Sequence, residues 1–430
     1  MTSPSQISVE THQNEFLPAG GRTVDAIVSV TGSGAPSAAQ PRRPGSVAEM
    51  ILIDVSASMS GRKLRAAKQA AAAAIDALPD GVSFGIVAGD TTAWPVYPGG
   101  KYLATSTRAH RSAARDAVSG LQTRGGTAIG AWLSLAARMF TEQGAALNHA
   151  ILLTDGANGE DERTFEATLA RCEGRFVCDS RGIGEGWVAR DLIKVSERLL
   201  GTASGIVDPA ALTADFLAMT QAAMGKTMAD VVLRLWTPAG ATVRFLKQVF
   251  PEIVDLTGRR TDTGKRVGEY PTGSWGAESR DYHIRIDLEP GGLGEEVLAA
   301  RLSVVHGTDV LGQSLVRAVW TNDLSSTTTI NGRVAAYTNA SELAEAIREG
   351  NEAQKAGDVE RATAKFGRAV QLASASPEYE GTAKMLRETV EVVDEKTGTV
   401  RLRGRSTSSV SELLEVTSRK TQQVRPGRPG

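Results

Sequence analysis

The chain has 430 residues, too many for one typical domain, so about two or three domains are expected. Hydrophobic residues make up 41% and charged residues 23%, ordinary for a globular protein with a sizeable core, and the formal net charge of −1 offers no field suited to nucleic acid or an anionic membrane surface. No basic start leading into an apolar core opens the chain, and no uncharged apolar run reaches the ~18 residues of a membrane span, so neither a secretory signal nor a span is expected and the location read is cytoplasmic.

The two cysteines, Cys172 and Cys178, are too few for a disulfide framework. Pairing would need an oxidising setting; buried thiols are expected.

In chain order, residues 7–32 read as strand. Val24, Ala26, Val28 and Val30 recur at every second position after a Gly20-Gly21 turn. A Gly/Pro/Ser-rich stretch then reads as a linker. From Val47 the texture changes. "VAEMILIDV" is a near-continuous apolar run, as in a strand buried on both faces. Leu64, Ala67, Ala71, Ala74, Ile75 and Leu78 fall at helical spacing, and Pro79, Asp80 and Gly81 stop that helix. Strands "VSFGIVAGD", "HAILLTDG", "RFVCDSRGIG" and "SGIVD" then alternate with helical stretches up to "PAALTADFLAMTQAAMG". Such alternation predicts a mainly parallel sheet with helices on both faces. After about Lys226 the helices vanish, and five apolar/polar alternating segments predict antiparallel sheet, a small sandwich. The N-terminal strands have no local partners and are expected to complete it, which makes the α/β part an insertion. From Asn339 two helices are expected around Ala356-Gly357-Asp358, with a third over 380–394 and a basic tail beyond. The helical pair resembles one tetratricopeptide unit through Gly350, Ala353, Gly357, Asp358, Ala362, Phe366 and Ala369. Such repeats need about three stacked units to stand alone, so docking on the rest of the chain is expected.

"ILIDVSASMSG" carries Asp54, Ser56 and Ser58 where a buried strand hands over to a helix. Helix capping is one explanation for the serines. "RGGTAIG" places Thr127 at a second helix start, and "ILLTDGANG" places Asp155 at the end of another buried strand. If those strands are neighbours, the five side chains converge at the C-terminal edge of the sheet, where open α/β folds place ligands. Two carboxylates and three hydroxyls suit a hard divalent cation, Mg²⁺ or else Mn²⁺ or Ca²⁺. Such a site leaves a coordination position for an outside anionic oxygen, which an Asp or Glu of a partner protein would fill.

Together these motifs resemble the metal-ion-dependent adhesion site of the von Willebrand factor type A domain, its Asp-x-Ser-x-Ser motif, threonine loop and second aspartate turn standing in the family's order. The resemblance covers roughly residues 47–225. It implies an α/β, Rossmann-like domain with a parallel-rich sheet, inserted in or flanked by an antiparallel β-sandwich, plus a C-terminal helical segment. The expected division is 1–33 as strands of the sandwich, 34–46 as linker, 47–226 as the von Willebrand factor type A domain, 227–323 as sandwich, 339–395 as helical and 396–430 as a basic, partly disordered tail. It also implies metal-dependent binding of a protein partner rather than catalysis, as in bacterial intracellular members. A metal-dependent phosphohydrolase and an exported adhesin are the alternatives. Against an enzyme, His12, His110, His149, His283 and His306 form no motif, no phosphate-binding loop occurs, and Ser56 stands where aspartate-based phosphatases carry a second carboxylate. The acidic "GEDE" at 159–162 reads as a solvated loop, or as a rim to the metal site.

Overall fold

This computed structural model describes residues 7–33, 46–403 and 408–424. All but the last residue of the expected linker, and residues 404–407 and 425–430 of the expected basic tail, lie outside them. The chain forms two compact units, one from residues 36–229 with 407–416, the other from 1–35, 230–406 and 417–430.

In the first unit the strand Val47–Asp54 is buried along its whole length, as its apolar run demands. It pairs in parallel with Leu147–Thr154 on one side and with Ser83–Gly89 on the other. Val177–Ile183 and Ala203–Ile206 extend the parallel sheet past Leu147–Thr154. Alternate residues of the central strand serve opposite cores. Met50 and Leu52 pack with Trp132, Leu133, Phe140 and Phe165, and Ile51 and Ile53 pack with Ala67, Ala71, Ile75 and Phe216. The helix Arg62–Ala77 buries Ala67, Ala70, Ala71 and Ala74 completely, and these small side chains let its backbone lie close to the sheet. At the far edge runs the antiparallel strand Ala93–Tyr97, which the sequence reading missed. Its Pro95 hides the strand pattern, yet proline is tolerated on an edge, where no ladder donor is needed.

The supposed tail adds to this core. Residues Ser408–Ser418 form a helix whose Leu413 and Val416 pack with Trp132, Trp187 and Leu192. Glu412 accepts a hydrogen bond from Ala189 N at 2.6 Å, which satisfies an orphan donor at the start of the helix Ala189–Arg198.

The second unit holds two larger, largely antiparallel sheets and a two-stranded one among the described residues. In the five-stranded sheet, Thr23–Gly32 lies between Ile7–Gln13 and Ser279–Asp287. Val24, Ala26, Val28 and Val30 are buried, as their alternation predicts, but so is Ile27 on the opposite face. The helix Gly332–Lys355 covers that face with Val334 and Tyr337. This helix starts earlier than Asn339: Asn331 caps it, accepting from Arg333 N at 3.0 Å. It packs on Val359–Ser374, and the crossing is close because a Cβ on Gly350 would stand 2.9 Å from the Phe366 ring. Residues 380–394 are not one helix: Glu380–Thr389 is helical, and Val390–Asp394 pairs with Thr399–Leu402. Residues beyond the helix Ser408–Ser418 are tied down too, with Arg419 donating through Nη2 to Ile253 O at 2.6 Å. No helix among the described residues is long and apolar enough to cross a membrane.

Candidate metal centre

The sheet order fixes where a ligand can sit. From Val47–Asp54 the chain goes first to one neighbour, Ser83–Gly89, and later crosses to the other, Leu147–Thr154. The order reverses between the central strand and Leu147–Thr154, and beyond the carboxyl ends of two such strands a crevice opens. Asp54 ends one of these strands and Asp155 follows the other.

Hydrogen bonds join the residues of this crevice. Asp54 Oδ1 accepts from Ser56 N at 2.7 Å, and Asp54 Oδ2 accepts from Thr154 Oγ1 at 2.5 Å. Ser56 Oγ and Ser58 Oγ are 3.0 Å apart, and Ser58 Oγ donates to Asp155 Oδ1 at 2.6 Å. Thr127 stands over the same turn: a Cβ on Gly156 would meet Thr127 Oγ1 at 3.0 Å and Ser58 Oγ at 3.9 Å. All five side chains therefore come together.

Capping does not account for the hydroxyls. Ser56 precedes a short turn of 3-10 helix without a side-chain capping bond, and the helix Arg62–Ala77 is preceded by Gly61, not by a serine. The helix Ile129–Gln143 takes its caps from elsewhere. Asn158 Oδ1 accepts from Ile129 N at 3.0 Å and Glu160 Oε2 from Gly130 N at 2.6 Å. These acceptors relieve Thr127 of any capping duty.

Both carboxylates are fully buried. Burial pushes the Asp54 carboxyl above its ordinary range, against the hydrogen bonds from Thr154 and Ser56, and the like charge of Asp155 adds to the rise. Two buried carboxylates facing one point create a demand for positive charge. The donor set fits a hard cation: anionic and neutral oxygens, no sulfur and no imidazole. No group of three or more His, Cys, Asp and Glu side chains set to hold a metal occurs among the described residues. A cation here would have to rest on the hydroxyls as well as the aspartates.

Several residues that build this site escaped the sequence reading. Lys63 Nζ pairs with Asp155 Oδ2. Asp90 organises the threonine loop: its carbonyl accepts from Ala128 N at 2.9 Å and Trp132 Nε1 at 2.8 Å, and its carboxylate takes Arg124 Nε at 3.0 Å. The Arg124 guanidinium lies over the Trp94 ring, 4.0 Å from its centroid. The acidic 159–162 stretch is neither a free loop nor a free rim. Glu160 caps a helix, Asp161 caps the next by accepting from Thr164 N at 2.9 Å, and Glu162 pairs with Arg190 and Lys194.

Comparison with known proteins agrees with this architecture. Residues 50–204 match the von Willebrand factor type A domain, and residues 371–412 match the von Willebrand factor type A C-terminal domain. A solved von Willebrand factor type A protein from Catenulispora acidiphila is 44% identical, covers 99% of both chains and superimposes with a TM-score of 0.90. The chain belongs to the von Willebrand factor type A family. The ArnB paralog VWA2 from Sulfolobus acidocaldarius shares the fold at 14% identity, with a TM-score of 0.56 over 96% of this chain and 98% of that one. An uncharacterized protein of Synechocystis sp. is 28% identical over 214 residues, 48% of this chain, and the chain spans about half (49%) of that relative's length. Proteins of this family are generally interaction modules. The second match embraces the end of the helix Val359–Ser374, the helix Glu380–Thr389, the hairpin after it and the first residues of the last helix, so it takes in the expected tail as far as residue 412.

Proposed function

We propose that the chain is a metal-dependent protein-interaction module that holds a Mg²⁺-type ion with Asp54, Ser56, Ser58, Thr127 and Asp155 and binds a partner's Asp or Glu through it. One observation carries this reading. Three hydroxyls and two buried carboxylates meet at the sheet's switch point, and the serines do no capping there. A bound divalent ion supplies the positive charge that the aspartates demand and leaves a coordination position for an outside carboxylate. Around it, Asp54 stays oriented by Ser56 N and Thr154, and the hydroxyls serve as weak neutral ligands. A partner carboxylate at this point would be desolvated at the centre of an interface, where single groups carry much of the affinity.

Family membership favours binding over phosphohydrolysis, and among the described residues no histidine is hydrogen-bonded to the site's side chains to act as a general base. Cys172 and Cys178 are both buried, and burial pushes the Cys172 thiol up to about 11, which makes it an inert core side chain rather than a nucleophile. Calorimetry with MgCl₂ tests the metal reading. Wild type is expected to bind and to gain thermal stability by mass action, whereas Asp54→Ala does neither. Equal, measurable Mg²⁺ binding by the two proteins would overturn the assignment.

A further inference from the structure

The two aspartates of the centre are not neutralised alike. Asp54 receives only neutral donors, Ser56 N–H and the Thr154 hydroxyl. Asp155 receives the Ser58 hydroxyl on Oδ1 and the Lys63 ammonium on Oδ2. Lys63 thus sits on the oxygen that does not bond the serine pair.

Its position is built rather than incidental. Lys63 is the second residue of the helix Arg62–Ala77, and a cation in the first turn opposes the helix dipole, so the helix itself gains nothing from it. Its side chain is only 30% exposed while Asp155 is fully buried. The stem is held against Gly184, where a Cβ would stand 2.9 Å from Lys63 Cε, and the positive φ of +73° there also favours glycine. A larger residue at 184 would push the ammonium off the aspartate.

We infer that Lys63 is the built-in counter-charge of the metal centre, weakening the hold on a bare divalent ion so that a partner carboxylate and the ion bind best together. The inference rests on the metal reading above. Two aspartates alone would balance a doubly charged ion completely and leave nothing to attract an incoming anion. With the lysine present, the loaded site retains one positive charge, and a partner carboxylate completes the balance. Ion and carboxylate then strengthen each other's binding by the same factor, as linkage requires. A merely structural Lys63 would act in the opposite direction, since its removal would loosen Asp155 and weaken the ion.

The test is calorimetry on the full chain at constant ionic strength, with Mg²⁺ as titrant and acetate as the stand-in for a partner carboxylate. Lys63→Gln keeps a neutral donor to Asp155 and is expected to bind Mg²⁺ about tenfold more tightly than wild type, the scale of one partly screened charge at close range. Lys63→Met, which keeps the stem's packing, is expected to do the same; Lys63→Arg is expected to match wild type. Acetate is expected to tighten Mg²⁺ binding in wild type and Lys63→Arg and to lose that effect in Lys63→Gln. Unchanged or weaker Mg²⁺ binding by folded Lys63→Gln and Lys63→Met overturns the counter-charge. If wild type is silent and Lys63→Gln binds, the counter-charge is supported. If all variants are silent toward both Mg²⁺ and Mn²⁺, the metal reading itself falls and takes this inference with it.

Discussion

The same two central strands carry a charged cluster near each end, and the clusters are finished differently. Near their starts, Glu49 and His149 are direct cross-strand partners, and Asp179 on the next strand completes a row. His149 Nδ1 lies 2.9 Å from both Glu49 oxygens, and Nε2 lies 3.1 Å from Asp179 Oδ2. Thr202 N and Oγ1 both donate to Asp179 Oδ1 at 2.7 Å. Five residues past Glu49 on the same strand, about 16 Å at the usual parallel-strand rise, stands Asp54, and Asp155 follows the end of the neighbouring strand. There the aspartates face hydroxyls, and the single cation pairs with one of them from the side. The first cluster has its cation between its anions and needs nothing from outside. The second has its anions around a point and its cation off to one side. Glu49 is as fully buried as the two aspartates, so burial of charge alone does not mark a functional site. What distinguishes the sheet edge is an incomplete charge balance beside a crevice.

Breaking the finished cluster should have the largest effect on stability. His149→Ala would leave Glu49, which is fully buried, and Asp179 without their shared cation. A loss of ~3–5 kcal/mol is expected, the usual cost of orphaning a buried charge. Urea unfolding checks it. A loss below about 1 kcal/mol would mean that water or a shifted proton repairs the gap.

The pH dependence of stability sharpens the same contrast. The flanking carboxylates hold His149 protonated and push its pKa up to about 10 from 6.5, despite burial. A group whose folded pKa is raised stabilises fully below its unfolded value and stops doing so as pH rises through the folded one. Stability is therefore expected to fall steadily between about pH 6.5 and 10. Asp179, held below the usual carboxylate range by His149 against the cost of burial, works at the other end. Its contribution is complete above about pH 3.8 and is lost as pH falls below that. A series of urea midpoints against pH should show the alkaline decline in wild type and a flatter line in His149→Gln. Parallel curves would assign the decline to other groups.

The two clusters also differ in how far the sequence discloses them. Asp54, Ser56 and Ser58 lie within five residues on one strand-to-helix turn, and Thr127 and Asp155 each close a short motif of their own. Local spacing makes such a site visible, although only the strand order brings its parts together. Glu49 and His149 are 100 positions apart with no motif around either, so the histidines look unrelated until register pairs them. Lys63 looks like an ordinary exposed helix lysine, because nothing local says that Gly184 frames it. The helix Ser408–Ser418 was obscured by its basic, Pro/Gly-rich surroundings. Its Leu413 and Val416 gain a core only from segments more than two hundred residues upstream.

At the unfinished cluster, neutralising an aspartate should stabilise rather than destabilise. Burial and the neighbouring Asp155 disfavour the charged form of Asp54. Asp54→Asn keeps the shape and removes that penalty. A gain of up to about 1 kcal/mol in metal-free buffer is expected, the modest return of relieving a site kept for function. Thermal melts with EDTA and with MgCl₂ check it. Wild type should respond to Mg²⁺ and Asp54→Asn should not, so the two curves should converge or cross on adding the ion. A variant less stable than wild type in EDTA would show that Asp54 is as structurally necessary as His149.

The smallest stability effect is expected at Ser56, and there the contrast is most exposed to refutation. Its side chain caps nothing. Its backbone N–H, which any residue but proline retains, provides the bond that orients Asp54. Ser56 is buried, but Ser56→Ala removes only one hydroxyl contact and leaves the Ser58 bond to Asp155 in place, so a loss of only about 0.5 kcal/mol is expected in EDTA, the low end of one hydrogen bond's net worth. Its hydroxyl nevertheless belongs to the chain that runs from Ser58 to Asp155. Mg²⁺ binding should weaken strongly in the same variant, because an ion resting on only two carboxylates and three hydroxyls has no spare ligand. Parallel calorimetry and melting on one preparation separate the two effects. Full Mg²⁺ affinity in Ser56→Ala would remove that hydroxyl from the centre, and a large loss of stability in EDTA would return it to a structural role like that of the cluster at the strands' other end.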